Sequence, residues 1–153
     1  MKRALALGLL LLWGCVFTPS TRLPEDFEVY YSTGGCHAEW GRTNILIDAQ
    51  GNGIYEKGSG ALENGRFQNE EFRLAFRMGQ EERLALLNEI EESGFFSLSG
   101  EYFNPDIVDG SCSSISVTRN GETKTVSVSN MQPPGAFTAS AEAISSAAQS
   151  KTK

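Results

Sequence analysis

The chain has 153 residues, 40% of them hydrophobic, which suits one domain able to bury its own core. Its formal charge is −6, and it becomes −8 once Lys2 and Arg3, the only charges in the first 14 residues, are left out. A surplus of that sign argues against nucleic acid as a partner, because phosphate-backbone binding is driven by Lys and Arg, and against adsorption onto anionic membrane through a basic face.

Met1-Lys2-Arg3 and the apolar run Ala4 to Trp13 read as a signal peptide over residues 1–14, since a run of about 10 residues is too short for a stable membrane span. Leu12-Trp13-Gly14-Cys15 resembles the prokaryotic lipobox, in which a small residue precedes a cysteine that is acylated and becomes the new N-terminus. Trp13 departs from that pattern, where a small residue is usual. The reading predicts Cys15 as a lipid anchor, the membrane as partner through that lipid, and an exported, envelope-held protein. Simple cleavage near Thr18 to Ser20 is the alternative. Residues 15–25, with Pro19 and Pro24, then form a tether.

Export places the remaining cysteines in an oxidising compartment. Cys36 and Cys112 make an even pair, and a bridge between them would close a loop of 76 residue steps, worth roughly 4 kcal/mol in the chain-entropy account. Two separate thiols are the alternative.

The domain is expected over residues 26–149. Phe27, Val29 and Tyr31 alternate with Glu28 and Tyr30, which predicts a first strand over residues 26–31. A second strand over 43–48 buries Ile45 and Ile47, and a third returns over 54–57. Residues 58–65 read as loop, with Asn64-Gly65 as a tight turn. Phe72, Leu74, Phe76 and Met78 alternate with Arg73, Ala75 and Arg77 as a half-buried strand. The period then lengthens. Leu84, Leu86, Leu87 and Ile90 share one face of a helix over 80–93, while Glu81, Glu82, Glu89 and Glu92 take the other. Gly94 is the helix stop, and Phe95-Phe96 follow as a core plug. An Asn120-Gly121 turn pairs Arg119 with Glu122, Val117 with Lys124 and Ile115 with Val126, so Ile115, Val117, Val126 and Val128 fall on one face of a hairpin over 114–129. Pro133-Pro134 breaks the chain, and a helix over 135–149 carries Phe137, Ala141, Ile144 and Ala148 as a stripe for the sheet. Residues 150–153 read as a frayed tail. The expected fold is α+β: one antiparallel sheet of five to six strands with a central amphipathic helix and a C-terminal helix packed on it.

Functional side chains concentrate in Cys36-His37-Ala38-Glu39-Trp40-Gly41-Arg42, which holds the only histidine, and in the acidic loop from Asn104 to Gly110 before Cys112. A Cys36–Cys112 bridge would bring His37, Glu39, Trp40, Arg42, Asp106 and Asp109 to one polar edge. Zinc is a poor fit there, with one imidazole and no short paired spacing. A hydrolytic site using His37 with the acids lacks a nucleophile, because Ser111, Ser113 and Ser114 sit in no elbow pattern. Surface pairs and loop caps explain the same residues. Asp48 to Gly53 has some spacing of a calcium loop, but Ser59 stands where a bidentate Glu is needed, and a hairpin turn accounts for the glycines. No catalytic residue, metal or cofactor is therefore assigned.

Several residues together carry a family likeness: Cys36 with Trp40-Gly41-Arg42, the Gly53-Ile54-Tyr55 return, Leu87, Ile90 and Gly94-Phe95-Phe96-Ser97-Leu98, then Tyr102, Asp109-Gly110 and Ile115-Ser116-Val117 before Asn120-Gly121. From about Phe27 to Asn130 the chain resembles a family of small exported prokaryotic domains of unknown function. Those are core and turn positions, so the resemblance implies a fold and no catalytic residue. The expected function is a non-enzymatic, envelope-anchored module that binds a protein, a peptide or a cell-surface polymer. A small hydrolase or metal-dependent enzyme using His37 is the rival.

Overall fold

A computed structural model describes residues 19–37 and 39–152. Its seven strands form one sheet: β1 (Glu28–Gly35), β2 (Arg42–Ile47), β3 (Asn52–Glu63), β4 (Arg66–Arg77), β5 (Glu101–Phe103), β6 (Ser111–Arg119) and β7 (Glu122–Ser129), in the order β4-β3-β2-β1-β6-β7-β5. Two helices, α1 (Gln80–Glu92) and α2 (Gly135–Gln149), cover one face. The α+β class stands, but the sheet is mixed and larger than expected. β5 lies parallel to β7, pairing Tyr102 with Val128. A three-residue strand leaves too short a period to be seen in sequence, which is why the expected count fell short and the sheet read as wholly antiparallel.

The second difference is the span 58–65. It is strand and turn, not loop: β3 and β4 run as a 12-residue hairpin whose register shifts at Lys57/Gly58 and between Ser59 and Leu62. The glycines that suggested a loop mark irregularities within the ladder. A Cβ on Gly58 would sit 2.7 Å from the Phe67 Cβ across the hairpin, so that glycine makes room for a buried phenylalanine. Asn64 and Gly65 do form the tight turn, with φ of 52° and 72°.

The inner face of the sheet alternates as the strands require. Val29, Ile45, Ile47, Ile115, Val117, Val126 and Val128 are buried beneath Leu86, Leu87 and Ile90 of α1 and Phe137, Ile144 and Ala148 of α2. Leu84 is half-buried against the same core. The Glu82 carboxylate accepts the Gly79 N–H at 2.8 Å to open α1, and Gly94 closes it with φ 85°, after which Phe95 is fully buried. The β6–β7 register is the expected one, including Val117 opposite Lys124. Lys124 lays its stem on the inner face and donates its ammonium to the Leu98 carbonyl.

Both ends of the domain are better held than the sequence suggested. Ser20 donates its N–H to Asn88 Oδ1 at 2.8 Å and its hydroxyl to Glu91 at 2.8 Å, and Leu23 is buried, so the last part of the expected tether belongs to the fold. Lys151 reaches back to Glu82 at 2.5 Å. The signal peptide and Cys15 lie outside the described residues. Among the described residues no helix is long and apolar enough to cross a membrane.

Candidate functional site

The two loops singled out in sequence meet at one end of the sheet. β1 ends at Gly35 and β6 begins at Ser111 directly opposite, so the residues flanking them are brought together by register. Cys36 and Cys112 are bridged, with Cα atoms 4.8 Å apart. The Cys36 N–H bonds the Gly110 carbonyl at 3.3 Å, and the Asn130 side chain donates to the Ile107 carbonyl at 2.9 Å. Asp109 takes a left-handed φ of 63°. Its carboxylate lies 3.0 Å from His37 Nε2, and the His37 ring meets Trp40 edge-on at 5.0 Å.

Of the expected edge, the structure therefore gathers Cys36, His37, Trp40, Asp109 and Cys112. The other three adjoin it in the chain but, among the described residues, make no side-chain hydrogen bond to it. Glu39 is exposed. Arg42 opens β2 on the helix-free face, with its Nε buried and without a hydrogen-bond partner. Asp106 is exposed, and its own N–H is capped by Asn104 Oδ1 at 3.0 Å.

The His37–Asp109 pair has both side chains about 60% exposed (61% and 59%), so water screens it and its worth is that of a surface pair, about 0–1 kcal/mol. General acid–base work asks for a site that excludes water and a nucleophile within hydrogen-bond reach. Ser113, an inward-facing hydroxyl on β6, is bonded instead to Thr33 at 2.7 Å. Among the described residues no group of three His, Cys, Asp or Glu side chains is placed to hold a metal ion. Asp48 is occupied by its own turn: its carboxylate accepts Gln50 N–H at 2.9 Å and Asn52 N–H at 2.8 Å, which makes it the cap of the β2–β3 hairpin.

What the sequence reading missed at this end is apolar. Phe103 (55% exposed) at the end of β5, Ile107 and Val108 (80%) on the loop before β6, and Met131 just after β7 are exposed at the end of the sheet that carries the disulfide, and Trp40 is exposed on the loop after Cys36. Isolated exposed aliphatics are ordinary on protein surfaces, and several at one end of a sheet are what sets this end apart. The signal was present as Ile107-Val108 set between Asp106 and Asp109, an apolar pair in a stretch with no strand or helix to bury it.

The model of a domain of unknown function, DUF6438, matches residues 27–148, from the start of β1 to the end of α2. The chain belongs to the DUF6438 family. No curated protein matches it. Family membership assigns this DUF6438 domain no activity, and its function has to be argued from the surface itself.

Proposed function

We propose that this DUF6438 protein is a non-enzymatic binding module held at the cell envelope by a lipid on Cys15, and that the disulfide-clamped end of its sheet docks a protein partner. The observation that carries the reading is Val108, exposed on a loop held by the disulfide and by the Cys36–Gly110 and Asn130–Ile107 bonds, with Phe103 exposed at the end of β5. A partner meeting such a surface buries apolar area without first paying to order it. Acidic Glu39, Asp106 and Asp109 around the patch, and the chain's net negative charge, favour a protein with a basic rim over an anionic lipid surface.

Crosslinking in intact envelopes through a photoreactive side chain at Met131 tests this, with Val108→Asp as the paired variant. The expected result is a discrete adduct that Val108→Asp reduces about tenfold, as loss of one central apolar contact would. An adduct insensitive to Val108→Asp, lipid adducts alone, or none at all would overturn it.

A further inference from the structure

A cleft opens at the edge of the core, between one flank of α2 and the inner face of β1 and β6. Along β1 and β6 the inner face changes character in one row: Tyr31 and Ile115 pair, and the next inward pair is Thr33 and Ser113, hydroxyl facing hydroxyl at 2.7 Å. Gly35 and Ser111 close the row beyond. α2 does not cover these positions. Between its flank and the strands runs an open cleft of about 530 Å3, within the usual range of roughly 300–1,000 Å3 for small-ligand sites.

The lining is unusual for a chain with 32 charged residues (13 basic, 19 acidic). Glu142 is its one charged side chain, and no lysine or arginine among the described residues lines it. The rest of the polar surface is neutral: the Tyr31 phenol, Thr33, Ser113, Thr138, Ser145 and Gln149. Burial pushes the Tyr31 phenol above its ordinary value, against the pull of the Thr33 hydroxyl, so it stays a neutral hydroxyl at any physiological pH. Pro133, Phe137 and Ala141 supply an apolar strip along the same wall.

An anionic ligand would meet a carboxylate and no counter-charge. A strongly cationic one would find a single exposed carboxylate, worth little in water. Hydroxyls that both donate and accept, a carboxylate able to take two donors at once, and an apolar strip suit a molecule that is itself an array of hydroxyls on a C–H face. The geometry points to this cleft as a binding site for an uncharged oligosaccharide chain, lying along α2 with its hydroxyls toward Thr33, Ser113 and Glu142. This stands independently of the protein-docking surface around Val108.

Titration of the isotope-labelled protein with cellohexaose, maltohexaose and chitohexaose, read by backbone amide shifts, tests it. At least one sugar should bind with a dissociation constant near 1 mM, shifting Thr33, Ser113 and Glu142 while leaving Val108 unmoved. Glu142→Gln, on the exposed flank of α2, should weaken that binding about tenfold, and Thr33→Val should weaken it further. The proposal falls if none of the three sugars shifts these amides at about 10 mM, if Glu142→Gln and Thr33→Val bind as the parent does, or if pentaglycine shifts them as strongly as the sugars.

Discussion

Asp26 shows how one side chain fixes a distant turn. Its carboxylate accepts the Gly121 N–H at 2.5 Å and the Asn120 N–H at 2.8 Å, tying the start of β1 to the β6–β7 turn. Those bonds, that from Gly121 foremost, hold its pKa below the ordinary value. A depressed carboxylate stabilises the fold fully above its unfolded pKa of about 4, and the contribution is lost as pH falls through the folded value. Asp26→Asn should therefore lower Tm at pH 7, with the gap to the parent narrowing in thermal melts as the pH is taken down through the folded value. A gap unchanged with pH would show the carboxylate's charge to be irrelevant. Sequence alone does not reveal this pairing, because Asp26 and Gly121 are 95 residues apart and the bond depends on β1 lying beside β6. Trp40 and His37 were legible as surface residues, but Phe103 and Met131 were not, since exposure of an apolar residue at a strand end is decided by what fails to cover it.

Among the elements, the disulfide carries the sharpest expectation. It closes 76 residues of chain, and removing it as C36S/C112S should cost roughly 4 kcal/mol in denaturant unfolding. A loss below about 1 kcal/mol would mean that the β1–β6 ladder alone sets the loop positions. This bridge was readable from the cysteine count and an expectation of export, and the β6–β7 hairpin from its turn and period, because both are stated by residues close in sequence or few in number. The β3–β4 hairpin was only half-legible. Gly58 and Gly60 look like loop residues, yet Gly58 serves to admit Phe67 and Gly60, at φ 84°, sits within the irregular ladder. The curl it allows lets Arg73 on β4 reach both the buried Glu56 carboxylate and the Gly65 carbonyl at the hairpin tip. That latch joins residues on the helix-free face that no one-dimensional pattern connects. The hydroxyl row of Thr33 and Ser113 was hidden for the same reason: each reads as a solvated strand residue until the strands are paired.

For the molecule as a whole, the lipid reading predicts a mature protein beginning at Cys15 with added acyl mass, recovered with membranes, and a Cys15→Ser variant recovered free of them. Intact mass spectrometry with fractionation decides the matter. A mature chain cleaved near Thr18 to Ser20 without added mass would sink it, and would also trim the segment that Ser20 anchors to Glu91.

Ser20 rests on Glu91, which binds Arg119 at the far end of β6, while the bridged cysteines stand at the near end of that strand, where Cys112 lies seven residues or about 23 Å away. If Cys15 is held in a bilayer as proposed, the five residues to Ser20 span at most about 18 Å, and the domain would stand on its α1 end like a post on a short footing. Val108 and Phe103 would then form the cap of the post, turned away from the bilayer, and the proposed partner would have to come from the space above.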